Sequence, residues 1–244
     1  MPQSSADKQI LRVLQGNLQL VQQRIESACE RAGRDPKQIH LVAVTKYAEW
    51  NWVQQLAKLH SQFGENRPQQ LIDRQQQLPD IQWHLIGQLQ RNKARSVLPR
   101  CGLIHSVDSQ KLFQKLANVG HEVNIHPQVL LQVNVSGEDS KSGFTPSEVT
   151  DAWQDLVARG HQIDVRGFMT MAPANQDSNE ARKTFRGLRE LRDSIVNDGR
   201  SLPATWSLGD LSMGMSGDFG IAIEEGATIV RVGSALFAGL ETSE

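Results

Sequence analysis

The chain has 244 residues, with 26 Lys+Arg against 27 Asp+Glu and so a formal charge of −1, which gives no electrostatic reason to expect a nucleic acid or an anionic membrane surface as partner. No run approaches the roughly 18 consecutive apolar residues of a membrane helix, and the first residues lack a basic-then-apolar leader. Cys29 and Cys101 are too few and too far apart for a disulfide framework or a zinc motif, so a protein of the reducing cytoplasm is expected.

From Asp7 to Arg34, Ile10, Leu11, Leu14, Leu18, Val21, Ile25 and Cys29 recur at steps of three and four, which predicts one long amphipathic helix stopped by Gly33 and Pro36. Residues 1–36 form this helical segment and residues 37–244 the rest of a single structural domain. Eight β-rich runs follow in order: His40 to Val44, Gln62 to Gly64, Ile81 to Gly87, Leu103 to Val107, Val129 to Val135, Val165 to Met171, Thr205 to Gly209 and Thr228 to Gly233. Helical patterns lie between them at Trp50 to Leu59, Pro68 to Leu78, Asn92 to Leu98, Ser109 to Gly120, Thr145 to Arg159, Asn179 to Asp198 and Asp218 to Glu225. Asp108 or Ser109, Thr145 before Pro146, and Ser178 or Asn179 are plausible caps. Strict alternation argues for a parallel sheet, and eight units in about 200 residues fit a closed α/β barrel, (β/α)8, better than an open sheet. The Gln75-Gln76-Gln77 tract reads as a solvated helix face.

A parallel barrel builds its site at the carboxyl ends of its strands. There the sequence places Thr45-Lys46, Glu65-Asn66-Arg67, His84 and Gly87, Ser106 and Asp108, Asn134 and Ser136, Met169-Thr170-Met171, Ser207-Leu208-Gly209, and Arg231-Val232-Gly233-Ser234. Lys46 directly follows an apolar run. A lysine at such a rim loses hydration, its amine pKa falls, and the neutral amine can attack a carbonyl; the alternative is a lysine that snorkels to solvent, and position alone leaves both open. Arg231 lies inside an apolar strand and needs an acceptor, either a carboxylate such as Glu225 or a ligand atom at the mouth. Gly233-Ser234 reads as the opening of a last helical turn that could hold an anion, beside a small-residue loop from Gly209 to Asp218.

Other readings find no support. Gly214-Met215-Ser216-Gly217 is not GxSxG, Gly214/Gly217/Gly220 make neither GxGxxG nor a Walker loop, and His121 and His126, five apart, with no HExxH, argue against a metal site. His84 and His105 fall in strands, where a satisfied core histidine is the common outcome.

Six segments, LVAVTK around Lys46, FGENR from Phe63 to Arg67, WHLIGQLQRNK from Trp83 to Lys93, GFMTM from Gly167 to Met171, LSMGMSGDF from Leu211 to Phe219 and VRVGSALFAG from Val230 to Gly239, occur in the same order as in the pyridoxal 5′-phosphate homeostasis protein family, which the chain closely resembles. The domain of that family is similar to the amino-terminal barrel of alanine racemase. The resemblance implies that Lys46 carries pyridoxal 5′-phosphate as an internal aldimine, that Arg231 faces the pyridine nitrogen, and that Ser212, Gly233 and Ser234 hold the phosphate, partly through backbone amides. It also implies that Asn66 sits near the phenolic oxygen, with Met213 and His84 lining the pocket. The chain departs from the family at Pro68, Gln70 and Gln88, which touches the second and third rim loops.

An arginine against the pyridine nitrogen keeps it unprotonated, which disfavours transamination and decarboxylation. Racemisation survives that argument but needs a second acid/base on the opposite face, which racemases take from a carboxyl-terminal domain of the partner subunit. Here the chain ends eleven residues after Gly233, and that domain is expected to be absent. The expectation is therefore a non-enzymatic protein, with no catalytic residue, that holds pyridoxal phosphate reversibly on Lys46, supports the homeostasis of the cofactor and exchanges it with apo-enzymes. The rivals are a small amino-acid racemase using Lys46 and a rim group such as His84, and a Schiff-base aldolase acting on a phosphorylated sugar. The long helix could pack on the barrel or on a second copy; a monomer is expected.

Overall fold

The alternation of β-rich and amphipathic segments becomes, in the computed structural model, a closed barrel of eight parallel strands in sequence order, with β1 paired to both β2 and β8. The structure describes residues 5–138, 141–173, 177–199 and 202–241. The strands are β1 (His40–Val44), β2 (Gln62–Glu65), β3 (Gln82–Leu85), β4 (Leu103–Val107), β5 (Gln128–Gln132), β6 (Asp164–Met169), β7 (Asp210–Ser212) and β8 (Ile229–Val232). The helices are α1 (Ser5–Ala32), α2 (Trp50–Leu56), α3 (Pro68–Gln77), α4 (Ala94–Val97), α5 (Gln110–Val123), α6 (Pro146–Ala158), α7 (Ser178–Asn197) and α8 (Phe219–Glu224). None of the described helices is long and apolar enough to cross a membrane.

Alternation along each strand divides the apolar residues into two compartments. In β1, Leu41 and Ala43 turn outward into the large core shared with the helices, which contains Phe63, Trp83, Phe113, Trp153, Phe168 and Phe185. Val42 turns inward and meets Leu103, Leu130, Met169 and Ile229, with Met171 packed on this small plug of the barrel. Helix starts carry their side-chain caps: Ser109 before α5, Thr145 with Glu148 in a capping box at α6, and Asp177 before α7, one residue ahead of the expected Ser178 or Asn179.

The seventh strand corrects the expectation. Thr205 to Gly209 is a connector, and the strand is Asp210–Ser212. Trp206 supplied the β-like texture, yet its indole is buried against Trp153, with ring centroids 5.5 Å apart, and Nε1 donates to the Ile163 carbonyl at 2.9 Å. Leu208 then takes a positive φ of 51°, which an extended strand does not allow. The functional end of this strand is therefore Ser212-Met213-Gly214, not Ser207-Leu208-Gly209. Similarly, β5 ends at Gln132, and Asn134 builds the following turn by accepting from Ser136 Oγ and the Gly137 amide.

α1 lies along the barrel wall. Its buried stripe, Leu14, Leu18, Val21, Ile25, Ala28 and Cys29, joins the large core, and it packs beside α2 and α8.

Candidate cofactor site

At the carboxyl end of the barrel lies a cavity of about 480 Å³, within the range of small-molecule sites. Lys46, Asn66, Arg231, Gly233 and Ser234 line it, and Val44, Trp52, Ile86, Met171, Met215 and Phe237 supply apolar walls.

Lys46 sits in the turn after β1, and that turn is pinned from beneath. Arg74 of α3 donates through Nη1 to the Thr45 carbonyl (2.8 Å) and through Nη2 to the Ala48 carbonyl (3.0 Å), bracketing Lys46 on both sides. The same guanidinium pairs with the Glu65 carboxylate, which also accepts from the Thr45 hydroxyl. Glu65 is wholly buried and Arg74 nearly so. Burial pushes the Glu65 carboxyl pKa up, while Arg74 and the Thr45 hydroxyl pull against it. The Lys46 amine rests 5.0 Å from the ring centroid of Tyr47, which is 84% exposed at the cavity mouth.

Across the cavity, two backbone amides converge on one oxygen. Gly233 N donates to Ser216 Oγ at 3.2 Å and Ala235 N to the same atom at 3.4 Å. Residues 234–236 form a hydrogen-bonded turn and not the expected helical turn, so the anion-binding argument rests on a nest of amides and not on a helix dipole. Gly233 lies close to β1: a Cβ there would be 3.3 Å from the Val44 carbonyl oxygen, a tight contact. Gly214, at φ +91°, leaves no room for a side chain, since its Cβ would meet Phe219 Cα at 2.8 Å and Ala222 Cβ at 2.6 Å.

Arg231 reaches the cavity from the barrel interior, and its partner is not Glu225. Its Nη1 donates to Ser212 Oγ (2.7 Å) and its Nη2 to the Thr170 carbonyl (2.9 Å). Glu225 instead meets Arg182, Arg186 and Arg189 of α7. Burial lowers the Arg231 pKa to about 10, with Asp218 opposing, so the group is still a cation at neutral pH. From Ser212 the polar chain continues to His105 Nδ1 (2.8 Å), and His105 Nε2 lies 2.9 Å from His84 Nδ1. The chain ends at His84 Nε2, a buried atom without a protein partner.

Burial, with His40 and His60 nearby, lowers the His84 pKa to about 4; burial, His84 and Arg231 drive His105 well below its ordinary value. Both are neutral in the folded barrel at pH 7. Below the ordinary histidine value of about 6.5, the unfolded chain takes up protons that the folded barrel refuses. Stability therefore falls with falling pH through that window and levels off below the folded value. From pH 7.5 to pH 5, His84 alone is expected to remove roughly 2 kcal/mol. Urea midpoints measured at the two pH values check this, and equal midpoints would contradict it.

Five of the eight expected site residues thus line the cavity. His84, Ser212 and Met213 do not; all three are buried behind it, and Ser212 is committed to Arg231 and His105, which does not favour its expected contact with phosphate. Sequence reasoning passed over Tyr47, Ser216 and Arg74. Ser216 lay within the small-residue loop but carried no separate signal, and Arg74 was hidden among glutamines. Asn66 is held at the rim by crowding: a Cβ on Gly87 would lie 2.1 Å from the Asn66 carbonyl oxygen and 2.5 Å from its Oδ1. Gly87→Ala is expected to destabilise by about 1–3 kcal/mol and to displace Asn66, which chemical denaturation and the amide spectrum of Asn66 would report. Among the described residues, no group of three or more His, Cys, Asp or Glu is placed to hold a metal ion.

Residues 16–241 match the family model for the alanine racemase amino-terminal domain. A pyridoxal phosphate homeostasis protein from Aquifex aeolicus is 37% identical over 223 residues, 90% of this chain and 95% of that one. A crystal structure of an unknown protein from Bifidobacterium adolescentis superposes with a TM-score of 0.85 at 35% identity, covering 97% of this chain and 98% of its own. PipY of Synechococcus elongatus, solved with pyridoxal phosphate bound, gives a TM-score of 0.75 at 32% identity, over 88% of this chain and 100% of that one. The chain belongs to the alanine racemase amino-terminal domain family, among the proteins named pyridoxal phosphate homeostasis protein.

Proposed function

We propose that this protein is a non-catalytic carrier of pyridoxal 5′-phosphate that keeps the reactive aldehyde available but sequestered and exchanges it with apo-enzymes. One observation carries the reading: a primary amine, a buried arginine and the Gly233–Ser234 turn, whose Gly233 amide meets the Ser216 hydroxyl, line a single apolar-walled cavity. That donor set fits a planar, phosphorylated aldehyde, and a relative covering 88% of this chain holds the same cofactor. When bound, the cofactor supplies an aldehyde that condenses reversibly with a primary amine and releases water. Lys46 offers the amine from a turn whose backbone Arg74 immobilises. Arg231, a donor with no lone pair to give, meets the ring without protonating it. The Gly233 amide, which here donates to Ser216 Oγ, and the Ser234 and Ser216 hydroxyls would receive the phosphate, and Asn66 would complete the polar rim.

Against the racemase rival stands the placement of the Lys46 amine and the Tyr47 phenol as neighbours on one turn, whereas racemisation needs an acid and a base on opposite faces of the substrate. Reconstitution with pyridoxal 5′-phosphate is expected to give a visible absorption band that borohydride removes, leaving the added mass on the Lys46 peptide. Holo-protein should then pass cofactor to an apo-enzyme. A protein that stays colourless overturns the reading, and solvent deuterium appearing at the α-carbon of an amino acid at a useful rate replaces it with the racemase.

A further inference from the structure

The two segments that meet at the amide nest are turns bridged to each other by the Ser216 hydroxyl and, beside it, by the Arg231 amide on the Gly214 carbonyl, and they are also held from outside. On one side is the turn from Ser216 to Asp218, on the other the turn from Gly233 to Phe237. Both are held from the outside by the same helix. Arg24 of α1 donates through Nη2 to the Ser216 carbonyl at 3.2 Å, and its guanidinium stands 4.3 Å from the centroid of the Phe219 ring, which is wholly buried at the start of α8. Seven residues earlier, two helical turns along the same face, Asn17 Nδ2 donates to the carbonyls of Leu236 and Ala238, each at 2.9 Å. Neither contact is needed to close the apolar seam of α1, because Arg24 is exposed and Asn17 only half-buried.

We infer that Asn17 and Arg24 are positioning residues for the phosphate group: α1 clips the two turns together from behind, sets the distance at which their amides meet an anion, and adds one cation on the outer side. The inference rests on the cofactor reading above and extends it to a selectivity, for the phosphorylated over the unphosphorylated aldehyde. The Lys46 turn is pinned by Arg74, and the Arg231 guanidinium by Ser212 and the Thr170 carbonyl, so loss of the clip weakens the hold on phosphate and leaves the hold on the ring.

The test compares equilibrium affinities for pyridoxal 5′-phosphate and for pyridoxal in the wild type, Arg24→Met, the double variant Asn17→Ala/Arg24→Met, and Arg31→Met. Arg31 is on the same helix but pairs with Glu224 (2.8 Å) and so serves as the control. Losing these hydrogen bonds is expected to lower the phosphate-to-pyridoxal preference about fivefold in the double variant, with pyridoxal affinity within about twofold of wild type and Arg31→Met unchanged. Arg24→Met alone truncates an exposed side chain and should move the ratio in the same direction, which keeps the test open if the double variant folds poorly. A preference that survives in both Arg24 variants, whether the two affinities fall together or not at all, overturns the inference and leaves the carrier intact. A wild type that binds neither compound overturns the cofactor reading, and this inference with it.

Discussion

Lys46→Ala is expected to fold like the wild type and to lose all borohydride-fixable cofactor. The turn around position 46 is organised by another group, since Arg74 holds the Thr45 and Ala48 carbonyls. The Lys46 side chain contributes a cation–π contact with an exposed ring, about 0.5–1 kcal/mol at most. The amide nest and Arg231 survive the substitution, so weak non-covalent binding should persist while the covalent link is gone. Mass spectrometry after borohydride, beside a thermal melt, reads both quantities. Label that moved to another lysine, or persisted at wild-type level, would assign the attachment elsewhere.

Arg74→Met should produce the largest loss of stability. It leaves the Glu65 carboxylate, wholly buried, without its charged partner and with neutral groups such as the Thr45 hydroxyl and the Gln70 amide beside it, and frees two backbone carbonyls beside Lys46. Breaking a buried pair from one side costs about 3–5 kcal/mol, because the remaining charge is stranded. Exchanging both members for apolar residues, as in Glu65→Leu/Arg74→Met, should recover much of this, leaving about 1–3 kcal/mol for the unpartnered carbonyls. Urea unfolding of the two single variants and the double variant forms the cycle. A loss below about 1 kcal/mol in Arg74→Met would show that the pair contributes little and that the turn is held by other contacts. The same variant should retain less covalently trapped cofactor, since the turn presenting the amine is loosened.

The barrel was legible because most of its strands are apolar runs flanked by polar turns. β1 and β4 coincide with the runs from His40 to Val44 and from Leu103 to Val107. β7 was not, for a physical reason: its inward residue, Ser212, belongs to the polar layer that holds Arg231, so a three-residue Asp-Leu-Ser strand carries no hydrophobic signature. A more β-like neighbour, built around Trp206, packs into the helical layer instead. The cavity was legible where a polar or small residue stands just after a strand, as at Lys46, Asn66 and Gly233. Groups that act from a helix left no such mark. Arg74 sits in PQQLIDRQQQ, where Gln76 and Gln77 are solvated as expected and the buried arginine reads as one more polar residue. Arg24 and Asn17 are likewise ordinary polar positions on an amphipathic helix, and only tertiary packing shows which carbonyls they reach.

The residue over which the Lys46 amine rests is the chain's only tyrosine. A single-site probe is therefore already in place: biosynthetic fluorotyrosine would give one ¹⁹F resonance, at the mouth of the cavity, free of the overlap that five tryptophans impose on ordinary fluorescence. Its chemical shift and line width would follow occupancy and exchange at that mouth in real time, in a cell extract as readily as in purified protein.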